Sequence, residues 1–330
     1  MTLHPAVAAV RLAVRRTLEP LEDETVLVAC SGGADSLALL AATVFEARKL
    51  DIRVVGVTVD HDLQEGSAEH AARVVHQMAA LGVDETASAR VVVDPRGDGV
   101  EGAARRARYE VLEQMRQHFG ARLVLLGHTR DDQAETVLMG LARGSGARSM
   151  AGMRRSFDHY ARPLLDVTRD DTVTACQVEG IEVWDDPHND DIGFTRVRVR
   201  KNVLPVLEDQ LGPGVAAALA RTADQVRDDV EALDAIAEST FARLATPTGV
   251  PLRPLYDEYR AIASRVLRLA AIKAGAIDAE LFHVHVMALI GLAGGDVRGE
   301  VQLPGHVTAY RADGHLRFRR TGPRPPQPTP

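Results

Sequence analysis

The sequence predicts a doubly wound parallel α/β sheet joined to a smaller, mainly helical domain. From residue 24 to about 145, short β-branched runs alternate with longer helical patterns, and the predicted strands are almost continuously apolar. Such strands are typical of a parallel sheet that helices cover on both faces. After residue 213 the pattern changes to long Ala- and Leu-rich amphipathic helices. We therefore expect a first domain over 1–212, a second over 213–320 and a disordered, proline-rich tail over 321–330.

The first domain is expected to begin with an amphipathic helix, because the arginines of the first twenty residues follow apolar residues at helical spacing. The elements predicted next are strands at 25–30, 53–60, 89–94 and 122–128, and helices at 36–49, 67–82, 101–119 and 132–143. The segments that follow the strands are SGGADS, DHDLQEGS, DPRGDG and HTRDDQ. Ligands of doubly wound sheets bind beyond the carboxyl ends of the strands, so these loops are expected at one ligand-binding edge.

The second domain is expected to contain helices at 213–244, 252–275 and 277–294, where apolar residues recur at helical spacing. A Gly-rich stretch and the strand-like segments VQLPGHVTAY and HLRFRR follow. These segments predict a terminal β-hairpin that closes the fold.

Composition narrows the class of protein. The net charge of −7 argues against a protein that coats nucleic acid unselectively, although arginines gather locally at 143–169 and 196–201. No apolar run approaches the roughly 20 residues that a membrane span requires. Cys30 and Cys176 are the only cysteines, and they do not form the spacing of a disulfide framework, a zinc site or an iron-sulfur site. These features predict a cytoplasmic protein with reduced cysteines.

The segment SGGADS lies between a predicted strand and a predicted helix. Backbone N–H groups at such a helix start bind phosphate, glycine lets the backbone approach closely, and Ser31 and Ser36 add hydroxyl groups. A plain Gly-Gly turn explains the segment equally well when it is taken alone. A Walker A loop needs Gly-Lys-Ser/Thr, and Gly-Lys does not occur in the chain. A phosphate loop without that lysine, with Asp35 able to hold Mg²⁺, suits the departure of pyrophosphate from an α-phosphate.

The segment GHTRDDQAETVL places His128 at a strand end and Asp131, Asp132 and Glu135 on the first turn of the next helix. Helix capping explains such carboxylates when they are taken alone. Four ionisable groups within eight residues exceed what capping requires. The carboxylates are therefore candidates to hold Mg²⁺ or a cationic substrate amine, and His128 to contact a phosphate or to accept a proton.

The arginines in two further segments, 101–108 and 196–200, can be explained either as structural ion pairs or solvated charges, or as ligands of phosphate groups. Arg105 and Arg108 share a helical face with Glu101, and we favour an intrahelical ion pair there over a contact with nucleotide phosphates. Arg196 and Arg200 lie in a charge run of the kind that usually forms a solvated face. If residues 196–200 are helical, the two side chains align and become candidates to contact an RNA backbone or a transition-state phosphate.

In their order along the chain, these motifs resemble the tRNA(Ile)-lysidine synthetase family of the PP-loop, or N-type, ATP pyrophosphatases. SGGADS is similar to the SGGxDS loop of that family. Later motifs of the family are similar to VDHDLQEGSAEHA, EGAARRARY, HTRDDQAETVLMGLARGSG, RPLL and DDPHNDD...FTRVRVR...LP. SGGxDS alone marks the superfamily, whereas the ordered set, over residues 25 to about 207, is specific. The chain resembles a short form that lacks the second C-terminal domain of longer members.

The resemblance implies a reaction. O2 of the wobble cytidine in tRNA(Ile) with a CAU anticodon attacks the α-phosphate of ATP, and pyrophosphate leaves. The ε-amine of free L-lysine then attacks C2 of the adenylated base, and AMP departs. The implied cofactors are ATP and Mg²⁺, and the resemblance also implies a homodimer.

The resemblance implies roles for the residues that match its motifs. The implied ATP-binding residues are Ser31, Gly32, Gly33, Ala34, Asp35, Ser36, Arg105, Arg108 and His128. Asp132 and Glu135 would bind lysine. Asp35, His128 and Arg200 would act in catalysis, with Mg²⁺ near Asp35. The candidates for contact with tRNA are Arg143, Arg148, Arg196 and Arg200, together with the helical second domain.

The sequence departs from the family pattern at three positions. Asp62 and Gln64 stand where the family has a glycine and then an arginine, which weakens an RNA contact there, and Val197 replaces an expected asparagine. Three rival functions remain: a tRNA thiolase, an amidotransferase-like ligase and a non-catalytic RNA-binding relative. The two isolated cysteines argue against the first, the lack of an evident glutaminase domain against the second, and the intact Ser31, Asp35, His128 and Glu135 against the third.

Overall fold

A computed structural model of the chain describes residues 3–60, 67–91, 99–144, 146–184 and 190–322. Several positions named above lie outside the described residues. They are Asp62 and Gln64, the side chain of Glu101, and most of the predicted tail, from residue 323 onward.

The first sheet has six strands in the order β3-β2-β1-β4-β6-β5. Their bounds are β1 Thr25–Ala29, β2 Arg53–Asp60, β3 Glu85–Arg90, β4 Leu123–Leu126, β5 Ser156–Phe157 and β6 Tyr160–Ala161. β1 pairs in parallel with β2 on one side and with β4 on the other, and only the short β5 is antiparallel to its neighbour. The chain therefore winds outward in both directions from β1, which confirms the predicted doubly wound sheet and puts the switch point between β1 and β4.

Helices bury both faces of this sheet. Val26 and Val28 pack into one hydrophobic core with the first helices of the chain, and Leu27 and Ala29 pack into a second core on the opposite face. Successive side chains of a strand point to opposite faces, so a strand that is buried on both sides must be apolar throughout. This burial is the physical reason for the continuous apolar run that the sequence shows in β1.

Nine helices of the described residues accompany this sheet and the segments that follow it. They are α1 Pro5–Leu18, α2 Ala34–Ala47, α3 Ser67–Ala80, α4 Gly99–His118, α5 Arg130–Arg143, α6 Ala147–Met150, α7 Arg169–Val178, α8 Thr195–Arg198 and α9 Leu204–Leu211. A π-helical turn at Val199–Val203 continues α8. The predicted helices of this region are confirmed, including a helical conformation at 196–200, whereas α7 was not predicted.

The C-terminal part combines helices with a second sheet. Its elements are α10 Val215–Leu244, β7 Val250–Pro251, α11 Leu252–Tyr256, α12 Arg260–Lys273, α13 His283–Gly294, β8 Glu300–Leu303, β9 Val307–Ala312 and β10 His315–Arg320. The sheet is antiparallel in the order β7-β10-β9-β8. The predicted hairpin exists as β9 and β10, but the segment VQLPGHVTAY forms two strands rather than one.

Two further predictions were wrong in their bounds. The strand expected at 89–94 is observed at Glu85–Arg90, an edge strand with little apolar burial, because it pairs only with β2. The helix expected at 252–275 is broken into α11 and α12. Leu255 and Ile262 are both buried and stand seven positions apart, so the apolar period continues across the break.

The chain divides into two compact units, which are Met1–Met139 with Gly152–Thr222, and Gly140–Ala151 with Ala223–Pro330. The second unit has its own hydrophobic core, built from α10 to α13 and the second sheet. Over the described residues, none of the helices combines the length and the apolar character that crossing a membrane would require.

Candidate active site

The loop between β1 and α2 carries a row of unpartnered backbone amides. Among the described residues, none accepts a hydrogen bond from the N–H groups of Gly33, Ala34 and Asp35. These amides lie at the N-terminus of α2, a helix of 14 residues. Orphan amides and the positive end of the helix dipole together favour an anion. The loop can therefore hold phosphate oxygens, as the segment SGGADS predicts.

Neighbouring groups fix the shape of this loop. Gly32 has φ of +85°, and a Cβ there would lie 2.8 Å from Val74 Cγ2, so both the backbone angle and the space require glycine. The Ser36 hydroxyl donates to the carbonyl of Gly33 at 2.9 Å and accepts from the amide of Ser31 at 3.1 Å. The Ser36 hydroxyl is thus used within the loop, whereas Ser31 is exposed.

His70 and Trp184 hold the same loop from outside. The His70 ring nitrogen Nε2 lies 2.9 Å from the carbonyl of Ser31, and the Trp184 amide donates to the carbonyl of Gly32 at 3.1 Å. The rings of His70 and Trp184 are in contact, with centroids 3.7 Å apart. Residues that are far apart in the sequence therefore support the loop, and neither was predicted as part of the site.

The end of β4 lies beside the loop. A Cβ on Gly127 would lie 3.0 Å from the backbone carbonyl of Asp35, so only glycine permits this close approach of β4 to α2. His128 follows directly. The sheet thus places His128 and the start of α5 next to the phosphate loop, as expected at a switch point.

Asp132 acts both as a helix cap and as a site carboxylate. Its Oδ2 accepts from the amide and the hydroxyl of Thr129, at 2.8 and 3.0 Å, at the N-terminus of α5. Its Oδ1 is bound by Arg169 at 2.8 Å. Glu135, one turn later, is fully buried. Asp132 therefore combines a capping interaction with an ion pair to Arg169, whereas capping leaves the burial of Glu135 unexplained.

We call one set of side chains the charge cluster; its members are Asp35, Asp132, Glu135, Arg169, Arg196 and Arg200. Arg200 binds Glu135 with two hydrogen bonds, at 2.7 and 3.2 Å. Arg196 donates to the hydroxyl of Thr136 at 3.1 Å and lies 3.7 Å from Glu135. The alignment of Arg196 and Arg200 expected from a helical segment is therefore observed, and both point at the carboxylates of α5.

The start of α7 supplies the part of the site that was missed. Arg169 lies 3.6 Å from Asp35, 2.8 Å from Asp132 and 3.3 Å from Glu135. One turn later, the Thr172 hydroxyl donates to Asp35. A capping box formed by Thr168 and Asp171 starts this helix. The pattern Thr-x-x-Asp after the apolar segment RPLL was the available sequence signal for α7.

Burial sets the protonation of the site. It raises the pKa of Asp35 to about 6, although Arg169 and Thr172 favour the carboxylate. It lowers the pKa of His128 to about 3, so the imidazole is neutral at pH 7. Burial by itself raises the pKa of Asp132, but Arg169 and the amide of Thr129 outweigh it and keep that pKa below its usual value.

The two arginines of α4 differ in position. The Arg108 side chain makes no hydrogen bond or ion pair with any described residue, and burial lowers its pKa. Its charge acts on both Cys30 at the end of β1 and His128 at the end of β4, which places it near the phosphate loop. Arg105 is exposed and lies over the Tyr109 ring at 5.4 Å. Arg108 is therefore the better placed of the two to meet a phosphate.

Arg143 and Arg148 belong to the second unit. They line a groove of about 1050 Å³ together with residues of α12 and α13. Arg148 pairs with Asp234 at 2.8 Å, and Arg143 is exposed. We call this feature the arginine groove, after Arg143, Arg148, Arg260, Arg265 and Arg268 in its lining.

The carboxylates near the phosphate loop determine how the protein could bind Mg²⁺. Mg²⁺ is usually held by one or two carboxylates plus substrate phosphates and water. Asp35, beside the phosphate loop and about one-fifth exposed, suits that mode. Among the described residues, no group of three or more His, Cys, Asp or Glu side chains could hold a metal ion.

Comparison with known proteins identifies the family. A model of the PP-loop domain matches residues 8–207. The tRNA(Ile)-lysidine synthase of Streptomyces coelicolor is 46% identical, over 96% of this chain and 99% of that protein. That of Thermobifida fusca is 50% identical, over 94% and 97%. The structure of the U34-tRNA thiolase NcsA from Methanococcus maripaludis is similar over 68% of this chain and 80% of that chain, with a TM-score of 0.58 and 16% identity, which shows a shared fold alone. The chain belongs to the tRNA(Ile)-lysidine synthase family of PP-loop proteins.

Proposed function

We propose that this member of the tRNA(Ile)-lysidine synthase family joins L-lysine to C2 of the wobble cytidine, position 34, in tRNA(Ile) with a CAU anticodon. The modification changes codon reading from AUG to AUA. One observation carries the proposal: Arg169 lies 3.6 Å from Asp35 of the phosphate loop and 2.8 Å from Asp132. An anion cradle and a carboxylate cluster therefore adjoin, as a ligase that uses ATP and an amine requires.

The first step activates the base. O2 of the cytidine forms a bond to the α-phosphorus of ATP, and the bond from that phosphorus to the bridging oxygen breaks, so that pyrophosphate leaves. The amides of Gly33 to Asp35 and the Arg108 guanidinium stabilise the charge that develops on the phosphates. Ser36 keeps the loop in shape for this purpose. The lack of a Walker A lysine suits the α-phosphate as the point of attack.

The second step joins the amine. The lysine Nε forms a bond to C2, the bond from C2 to the oxygen of the adenylate breaks, and AMP leaves with that oxygen. The lysine ammonium must lose a proton before it attacks. Asp35, with a pKa of about 6, is mostly a carboxylate at neutral pH and is the group assigned to take that proton once pyrophosphate has left. His128, with a pKa of about 3, stays a neutral imidazole and is assigned to a contact with the phosphates.

Asp132 and Glu135 are the groups that bind the lysine ammonium in this proposal. Both are buried, so a cation between them interacts through little water and is bound strongly. Arg200, which binds Glu135, is assigned to the activated phosphate. Asp35 would hold Mg²⁺ with phosphate oxygens, and a bound ion would neutralise charge on the departing pyrophosphate.

The arginines provide the contacts with tRNA. Arg143 and Arg148 in the arginine groove suit the phosphate backbone, and Arg196 suits the nucleotide that enters the site. Cytidine 34 must leave its stack to reach the α-phosphate, at a cost of a few kcal/mol. ATP, free lysine and tRNA meet in the cytoplasm, where we place the reaction. We also propose a homodimer, which light scattering in solution tests.

A transcript panel tests the proposal. Purified protein, ATP, Mg²⁺ and labelled lysine are incubated with transcripts of tRNA(Ile) CAU, tRNA(Ile) GAU and tRNA(Met) CAU. We expect label only in the first, at cytidine 34. Asp35→Ala should abolish the labelling, and Asp166→Asn is its matched control. The Asp166 carboxylate is exposed and pairs only with Arg155 among the ion pairs of the described residues. Label in no transcript, with ATP-dependent transfer of sulfur or ammonia instead, would overturn the assignment.

A further inference from the structure

Arg169 occupies the place where the proposed substrate amine has to bind. Its guanidinium contacts Asp132 at 2.8 Å and Glu135 at 3.3 Å, the two carboxylates assigned to the lysine ammonium. The same guanidinium lies 3.6 Å from Asp35. A cation from the protein thus already makes the contacts that the cation of the substrate needs.

The charge cluster is balanced without a substrate. Asp35, Asp132 and Glu135 face three guanidinium groups, of Arg169, Arg196 and Arg200. A lysine ammonium would have to compete with Arg169 for Asp132 and Glu135, and its entry is disfavoured while the guanidinium holds both carboxylates. ATP brings several negative charges to the neighbouring amides of Gly33 to Asp35. The polyphosphate supplies negative charge that can bind the Arg169 guanidinium in place of the carboxylates, whereas the ammonium alone supplies none.

Arg169 is the guanidinium that links the lysine carboxylates to the phosphate loop. Arg200 binds Glu135 with two hydrogen bonds, and Arg196 is also tied to Thr136. Arg169 is fixed at its base, where its amide donates to Asp131 at 2.8 Å and a capping box starts α7. Of the three arginines, it alone reaches Asp35 on the phosphate loop, so a short rotation brings its tip toward a bound phosphate.

We propose that Arg169 is a positioning residue that holds the lysine site closed until ATP binds. When the polyphosphate occupies the loop, the Arg169 guanidinium transfers from Asp132 and Glu135 to a phosphate oxygen, and the carboxylates become free for the lysine ammonium. Lysine therefore binds after ATP. The inference rests on the proposed function for the assignment of lysine to Asp132 and Glu135. A static ion network, the alternative, predicts that nucleotide and lysine bind independently.

Equilibrium binding tests this coupling. The affinity for tritiated lysine is measured with and without saturating α,β-methylene-ATP and Mg²⁺, for the unmodified protein and for Arg169→Gln. We expect the nucleotide to tighten lysine binding at least tenfold in the unmodified protein. In Arg169→Gln, lysine binds at least tenfold tighter without nucleotide, and the nucleotide changes its affinity less than twofold. Arg155→Gln, an exposed arginine that pairs with Asp166, is the matched control and keeps the tenfold coupling.

Reciprocity provides a test that needs no variant. Saturating lysine must tighten the binding of α,β-methylene-ATP to the unmodified protein by the same factor by which the nucleotide tightens lysine. Lysine binding that is unaffected by nucleotide would overturn the role of Arg169 and leave the proposed function standing. Lysine binding in neither condition would overturn both. Weaker lysine binding in a folded Arg169→Gln without nucleotide would show Arg169 to be part of the lysine site rather than its competitor.

Discussion

The charge cluster of the first unit and the arginine groove of the second use the same side chain in opposite electrostatic settings. In the charge cluster, three arginines meet three carboxylates, of which Glu135 is fully buried and Asp132 nearly so. In the groove, five arginines meet Asp278 in the lining and Asp234 beside it, and the Asp278 side chain is 60% exposed.

The difference in burial and charge balance suits the two regions to different tasks, namely a reaction and the attraction of a polyanion. A balanced, buried cluster holds charges at fixed positions for a reaction, because little water screens them. An exposed surface with excess positive charge attracts a polyanion without fixing any one contact, and salt weakens it. We therefore expect substitutions in the cluster to lower kcat and substitutions in the groove to raise the KM for tRNA.

The largest effect is expected at Asp35. Asp35→Ala removes the carboxylate that Thr172 and Arg169 hold beside the phosphate loop. We expect kcat for lysine incorporation to fall about 10³-fold, with the KM for tRNA within twofold of its starting value. Steady-state assays with the tRNA(Ile) transcript measure both constants. A large change in the KM for tRNA with kcat unchanged would contradict the assignment of kcat to the charge cluster and of the KM for tRNA to the arginine groove.

The next largest effect is expected at Gly32. Gly32→Ala places a Cβ 2.8 Å from Val74 Cγ2 and strains a backbone at φ +85°, at a cost of about 1–3 kcal/mol. The amides shift, and we expect the rate with saturating tRNA to fall about 100-fold. Gly120→Ala is the control, because Gly120 also has positive φ, +63°, but nothing lies within 4 Å of its Cβ position. Equal losses in both variants would assign the effect to stability rather than to the cradle.

Acid pH should lower kcat through the charge cluster, while the arginines of the groove keep their charge. The pKa of Asp35 is raised to about 6, so the fraction of carboxylate falls as pH decreases through 6. We expect kcat to fall about tenfold per pH unit below that value. Guanidinium groups keep their charge there, so the KM for tRNA should not rise. A pH profile that is flat between 5 and 7 would contradict the assigned role of Asp35.

A smaller effect is expected in the groove. Replacing both Arg143 and Arg148 by glutamine should raise the KM for tRNA about 3- to 10-fold, with kcat unchanged. The slope of log KM against log salt should fall by about one for each lost phosphate contact. Arg16→Gln, at an exposed position of α1, is the control. An unchanged salt slope would exclude these two residues from the tRNA surface.

The smallest effect is expected behind the phosphate loop. His70→Ala removes the contact to the Ser31 carbonyl and the ring contact with Trp184, and we expect a two- to fivefold rise in the KM for ATP. Trp184 is the only tryptophan, so its fluorescence reports the change directly. His76→Ala is the control, because the His76 side chain makes no hydrogen bond to any described residue.

The sequence predicts the elements whose burial produces a distinct local pattern of apolar residues. The strands β1, β2 and β4 are buried on one or both faces and read as apolar runs. β3 is an edge strand of sequence ETASAR, which contains no apolar run. The strand was therefore predicted over the neighbouring apolar run, at 89–94. The break between α11 and α12 leaves the apolar period unchanged, so periodicity could not reveal it.

The site shows a similar limit. The phosphate loop, His128, Asp132 and Glu135 are local motifs, and the structure brings them to one edge of the sheet. Arg169 could not be assigned in this way, because its role depends on contacts with Asp35 and Asp132, which stand 134 and 37 positions away in the sequence. His70 and Trp184 were missed for the same reason. Long-range packing, not residue type, decides which polar side chains join a site.

The most direct test of the account is the stoichiometry of one reaction. With α-labelled ATP, labelled lysine and the tRNA(Ile) CAU transcript, we predict one AMP and one pyrophosphate released for each lysine attached, with the lysine on cytidine 34. This result requires the phosphate loop and the carboxylates of α5 to serve one reaction. Release of ADP and phosphate, or of AMP without attached lysine in the presence of all substrates, would contradict it.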